Sequence, residues 1–158
     1  MKGRRFILFV FAALTVVGCG QGKKAEQFKA LPFPDTVPPG MMTEPRDIAE
    51  HMALNFWNGI TDPSRAYPSD SLLVSGVLKS DVEQKFADWT MYLDMVSLSV
   101  ADKAVGKLCD RAAACERQDT SSNVFETITA LAGKYLYDPN SPLRNEDHYN
   151  SFARRLSA

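Results

Sequence analysis

Ser80-Asp81-Val82-Glu83-Gln84-Lys85-Phe86-Ala87-Asp88-Trp89-Thr90-Met91-Tyr92-Leu93-Asp94-Met95-Val96 decides the fold class. Val82, Phe86, Trp89, Leu93 and Val96 recur every three or four positions, the spacing that lines one face of a helix. Ser80 to Glu83 has the spacing of a capping box, which places the helix start there. Downstream, Ser99 precedes a helix to about Arg117 with Val100, Ala104, Leu108, Ala112 and Cys115 on its faces. A polar break over 119–123 follows. Val124, Phe125, Ile128, Leu131, Ala132, Tyr135 and Leu136 then mark another helix. Asp138-Pro139-Asn140-Ser141-Pro142 stops it, because both prolines fix φ and Asp138 and Asn140 can bond nearby amides. Asn145 caps a last helix over 146–156.

Upstream, Ile48, Met52, Phe56 and Ala49, Ala53, Trp57 recur at spacings of four over 44–58. Thr43 is the expected N-cap, Pro45 and Asp47 suit the first turn, and Asn58-Gly59 has the form of a left-handed C-cap. After a loop with Asp62-Pro63 and Tyr67-Pro68, Ser69 or Asp70 is expected to start a short helix carrying Leu72, Leu73, Val77 and Leu78. No run alternates apolar and polar residues in the manner of a strand. The expectation is an all-α domain, an irregular array of about five to six antiparallel helices over 43–158.

The N-terminus is an address. Lys2, Arg4 and Arg5 precede an apolar run over 6–17 that closes on Val16-Val17-Gly18-Cys19. This run of twelve residues, apolar but for Thr15, falls short of the ~20 that a spanning helix needs, so residues 1–18 read as a signal peptide. A cysteine directly after Gly18 resembles the lipobox of bacterial lipoproteins, and implies a diacylglycerol on the Cys19 sulfur, cleavage before it, and an acyl chain such as palmitate on the new N-terminus. More than one chain gives stable membrane attachment. Residues 19–42 then form a tether, with Leu31-Pro32-Phe33-Pro34 and Val37-Pro38-Pro39-Gly40 keeping it extended. Leu31, Phe33 and Val37 are candidates to dock on the domain. Gly20-Gln21-Gly22-Lys23-Lys24 carries no acidic run of the kind that resembles a surface-export signal, so the expected location is the outer membrane facing the periplasm.

Cleavage leaves 140 residues with 15 basic and 19 acidic side chains, enough for one domain with its own core. No basic stripe or interleaved aromatic platform points to nucleic acid. Cys109 and Cys115 are the thiols left after lipidation. On one helix they sit ~120° apart and ~9 Å along the axis, against the ~7 Å between Cα atoms that a disulfide tolerates. His51 near Asp47 and Glu50, and His148 beside Glu146 and Asp147, are too few ligands for a metal site, and both histidines are expected to face solvent or cap a helix. The run from Asp138 is no calcium loop, because its sixth position is Leu143 and its twelfth Tyr149. No catalytic residue, metal or cofactor is assigned: serine elbow, Ser-x-x-Lys and phosphate-loop patterns are all missing. Trp57, Tyr135 and Tyr137 are the candidates for stacking a peptide or glycan, set against ordinary core packing.

Phe33-Pro34 with Pro38-Pro39, Ala49-Glu50-His51 to Phe56-Trp57, and above all Lys134-Tyr135-Leu136-Tyr137-Asp138-Pro139-Asn140-Ser141-Pro142 with Arg144-Asn145-Glu146 resemble a helical domain of unknown function. That domain occurs in lipoproteins of Bacteroides-like bacteria, between the lipidated N-terminus and a thioredoxin-like domain. The resemblance covers residues 31–158 and transfers no catalytic residue. It implies further sequence after Ala158, so the chain is expected to be C-terminally truncated, with Phe152 and Leu156 short of partners. The expected function is a non-catalytic accessory or interaction module of a membrane-anchored, thioredoxin-associated lipoprotein. The alternatives are thiol–disulfide chemistry, through the further domain or through Cys109 and Cys115, and peptide or glycan binding.

Overall fold

The structure, a computed structural model, describes residues 29–65, 67 and 71–157. The signal peptide and Cys19 lie outside the described residues. Five helices carry the domain: α1 (Pro45–Asn55), α2 (Lys79–Met95), α3 (Leu98–Gln118), α4 (Val124–Ala132) and α5 (Glu146–Leu156). A small hairpin, β1 (Leu73–Val74) and β2 (Val77–Leu78), precedes α2, and α4 runs on into a π-helical turn, Gly133–Tyr137. The long helix α3 packs against α1, α4 and α5, while α1 also packs against α2. Among the described residues no helix is long and apolar enough to cross a membrane.

The stripe on α2 forms the centre of the core, with Val82, Phe86, Trp89 and Leu93 all fully buried. Phe86 packs its ring against Trp57, Trp89, Tyr135 and Phe152, at centroid distances of 6.1, 5.8, 6.1 and 6.3 Å. The Trp89 indole N–H donates to the Ala53 carbonyl at 2.9 Å, so its burial leaves no polar cost. Phe152 is completely buried between α2 and its own helix, which corrects the expectation that it lacks partners. Leu156 stays 46% exposed.

The segment expected as a short helix before α2 is instead the hairpin, paired Leu73 to Leu78 and Val74 to Val77. Ser75 (φ 47°) and Gly76 (φ 81°) supply the two consecutive left-handed residues that a tight hairpin turn needs. A Cβ at Gly76 would also stand 3.0 Å from the Tyr67 ring. Gly76→Val should therefore cost about 1–3 kcal/mol, measured as a lower urea midpoint, with helical content retained.

Other helix boundaries differ from the sequence expectation. The N-cap of α1 is Glu44 rather than Thr43, with Pro45 at the first helical position. The α2 capping box does not form: β2 runs straight into the helix, Leu78 is the N-cap, and Glu83 reaches Lys134 and Tyr135 instead. The cap of α3 is Ser97 rather than Ser99, and its side chain accepts from the Val100 amide. Asn145 caps α5 by accepting from the His148 amide at 3.2 Å, as its sequence position implied.

Helix α1 stops at Asn55 without a left-handed glycine. The Asn55 carbonyl accepts from the Asn58 amide (3.0 Å) and Thr36 Oγ1 (2.9 Å), while Arg111 reaches across from α3 and holds the loop after α1 by donating to the carbonyls of Asn58 (2.9 Å) and Thr61 (3.1 Å). Gly59 has a different use, because a Cβ there would lie 2.6 Å from the Pro34 side chain. The glycine lets the N-terminal segment lie flat on the domain. Leu31 bridges to Val77, and Phe33, 7% exposed, packs on Phe56 and Trp57 at 5.6 Å each. Val37 does not dock and is 79% exposed.

Candidate functional site

The chemistry-bearing side chains separate into those that serve the fold and those that face a groove. Trp57 belongs to the first group: it is 3% exposed, wrapped by Phe33, Phe56, Phe86 and Trp89. Tyr135 is half-buried and donates its hydroxyl to Glu83 at 2.6 Å. That bond raises the phenol above its ordinary range, while the Lys134 and Tyr135 donors hold the Glu83 carboxyl below its own. Tyr137 is 59% exposed and stacks on Tyr149 at 4.7 Å. The three aromatics named from sequence therefore do not meet on one surface.

The Lys134–Pro142 motif acts as a structural bracket. The π-helical turn closes with the Asp138 amide donating to the Gly133 carbonyl at 3.0 Å. Ser141 Oγ donates back to the Tyr135 carbonyl at 2.6 Å, and the Asn145 amide donates to the Leu136 carbonyl at 3.1 Å. Asp138 Oδ1 accepts from the Asn140 amide at 2.8 Å, the helix-stop turn expected of this run.

His51 lies 3.4 Å from the Asn55 side-chain amide. His148, expected to face solvent or cap a helix, is 5% exposed, and its Nε2 sits 3.0 Å from Asp94 Oδ1. Its helix α5 packs chiefly against α3 and brings it beside Asp94 on α2. Among the described residues, no three His, Cys, Asp or Glu side chains cluster to hold a metal ion.

Cys109 and Cys115 are both free thiols on α3. Burial pushes the Cys109 thiol up to about 11, and burial also raises Cys115. A thiol is a nucleophile only when ionised, so this shift makes Cys109 inert at neutral pH. Native protein at pH 8 should alkylate Cys109 far more slowly than urea-unfolded protein, read by peptide mass spectrometry. Because the folded state disfavours the thiolate, this group weakens stability as pH climbs from about 9 towards 11.

One groove lies between the loop after α1, the hairpin and the α3–α4 turn, with a volume of about 210 Å³. Arg65, Tyr67, Leu73, Cys115, Asn123 and Val124 are among the residues that line it. Arg65 Nε donates to the Ser75 carbonyl at 2.9 Å, and its guanidinium stands 5.6 Å from the Tyr67 ring centre. Its Nη2 is buried and has no hydrogen-bond partner. Asn123 donates to the Leu73 carbonyl at 2.8 Å and joins the turn to the hairpin. Asp62 and Asp119 line it too, each accepting from the hydroxyl and the amide of the serine two positions on, Ser64 (2.7 and 2.8 Å) and Ser121 (2.7 and 2.9 Å). Those bonds lower both carboxyls, so they stay ionised. Sequence reasoning passed over Arg65, which carries no motif. The signal available was the pair of loops Asp62-Pro63-Ser64 and Asp119-Thr120-Ser121.

A family described as a domain of unknown function, DUF5106, matches residues 18–157. Among solved structures, a thioredoxin-like protein from Bacteroides caccae ATCC 43185 is similar, with 30% identity and a TM-score of 0.63. The match covers 79% of this chain and 40% of that one, so the chain spans well under half the length of that protein. The comparison with curated proteins found no match.

Proposed function

The chain belongs to the DUF5106 family, and from that premise we propose that it is a membrane-anchored bacterial lipoprotein whose helical domain is a non-catalytic module. It serves a thioredoxin-like activity of the cell envelope, as accessory or interaction domain, at the outer membrane facing the periplasm. The observation that carries this reading is the likeness to 40% of a thioredoxin-like protein by a domain built from helices and one two-stranded hairpin. What the helical domain matches is a part of that protein, and in this chain several of the prominent polar residues hold the fold. Glu83 ties the π-helical turn to α2, Arg111 holds the loop after α1, and Cys109 is buried in the core. Cys19 carries the lipid, and the stretch from Cys19 to Phe33 links that lipid to the docked N-terminal segment.

The test is metabolic labelling with a palmitate analogue of the full chain expressed in a bacterium. Label in the membrane fraction, lost together with membrane attachment in Cys19→Ala, is the expected result. An unlabelled wild-type protein, or a Cys19→Ala variant that stays membrane-bound, overturns the anchor. A disulfide-reductase assay on the extracted chain tests the non-catalytic assignment: the wild type should match Cys109→Ser and Cys115→Ser. Activity lost in either variant would contradict it.

A further inference from the structure

We infer that a groove between α1 and α2 binds one soft monovalent cation, copper(I), through the thioethers of Met52, Met91 and Met95. This goes beyond the proposed function and does not depend on the lipid anchor or on a thioredoxin-like partner.

The placement of the methionines carries the inference. Five follow Met1 in the sequence, and three of them, Met52 on α1 with Met91 and Met95 on α2, line this one groove. Met91 and Met95 stand four positions apart, so one helical turn brings them onto the same face. Two histidines at that spacing share a zinc ion in the same way. Core packing does not account for the pair. Met91 is 62% and Met95 59% exposed, whereas the buried stripe of the same helix runs through Val82, Phe86, Trp89 and Leu93. Met52, 8% exposed, enters the groove from the facing helix. Each methionine side chain is unbranched and flexible, so the sulfurs can adjust to a shared ion by rotamer changes.

The donors select the ion. A thioether is neutral and soft, which favours copper(I), whereas magnesium, calcium and manganese take oxygen ligands. The charged side chains of the lining are Asp35, Lys85 and Asp88. Lys85 is paired with Asp35 at 2.7 Å, and Asp88 adds a carboxylate that accepts only from the neutral Gln84 amide at 3.0 Å. A cation therefore meets a lining with one net negative charge.

The experiment titrates the detergent-solubilised full chain with silver(I), a redox-inert stand-in for copper(I), and reads the NMR signals of 13C-labelled methionine methyl groups. Cys19→Ala and Cys115→Ser are introduced first, because an accessible thiol would compete for silver; Cys109 is buried. One equivalent should move the signals of Met52, Met91 and Met95 together and leave those of Met41 and Met42 in place. Leucine matches methionine in size and helix propensity, so Met91→Leu and Met95→Leu keep the fold. Each should weaken binding by at least about tenfold, the loss that even an outer-shell partner can cause. Copper(I) competition against bathocuproine disulfonate should rank the variants in the same order. Methionine signals unmoved at several equivalents of silver, movement of a single methionine, equal movement of Met41 and Met42, or leucine variants that bind undiminished would each overturn the assignment. None of these results touches the palmitate or reductase tests, so the two readings fail separately.

Discussion

Phe86→Ala should remove most of the stability of the domain. Phe86 is fully buried on α2 and meets rings from four directions: Trp57 after α1, Trp89 on its own helix, Tyr135 on the π-helical turn, and Phe152 on α5. Truncation opens a cavity that none of these rigid rings can close by a rotamer change. Phe-to-Ala substitutions of this kind cost about 3–5 kcal/mol. Typical domains hold a total of about 5–15 kcal/mol, so the loss is a large share. Urea unfolding followed by Trp fluorescence is the measurement, because Trp57 and Trp89 both border the site. A change below ~1 kcal/mol would mean that the aromatic cluster repacks freely and is not the keystone of the fold.

Gly59→Val is the second large effect, and its damage should appear at a distance. A Cβ at position 59 stands 2.6 and 2.7 Å from Pro34 side-chain carbons and 3.1 Å from its carbonyl oxygen. A proline ring has no rotamer to retreat into, so residues 31–36 must lift from the domain. Several contacts leave with it: Phe33 from its pocket, the Leu31 amide from the Gly76 carbonyl (2.8 Å), Thr36 Oγ1 from the Asn55 carbonyl (2.9 Å) and Lys85 from Asp35 (2.7 Å). Burying a phenylalanine contributes about 1.5–3 kcal/mol, and each net hydrogen bond about 1 kcal/mol. The expected total is about 2–4 kcal/mol. Hydrogen exchange at the Leu31 amide should rise sharply while the amides of α3 keep their protection. A Leu31 amide as protected as in the wild type would show that the segment tolerates the clash.

The Arg65 groove shows why a site can be invisible along a chain. Its walls come from Asp62, Pro63, Arg65 and Tyr67, from the hairpin at Leu73 and Ser75, and from 115–124, three stretches with no shared motif. Nothing in the spacing of Arg65 announces a buried, unpaired Nη2, because that property depends on what surrounds it. Cys109 and Cys115 were legible as an improbable redox pair from helix geometry alone. His148 was not legible as buried, since its place depends on how α5 sits against Asp94 on α2.

Taken alone, the sequence determined the helical class, the core stripe of Val82, Phe86, Trp89 and Leu93, the Asn145 cap and the helix stop at Asp138–Pro142. Each of these follows from interactions within a few residues: side-chain periodicity, a cap reaching three positions on, a ring fixing φ. Tertiary structure alone decided the anchoring of the loop after α1 by Arg111, the diversion of Glu83 from capping to Lys134 and Tyr135, and the docking of Phe33 beside Gly59. Those outcomes turn on partners 20 to 50 or more residues away. Local propensity differs between the alternatives by about 1 kcal/mol or less, so a single long-range contact settles the choice.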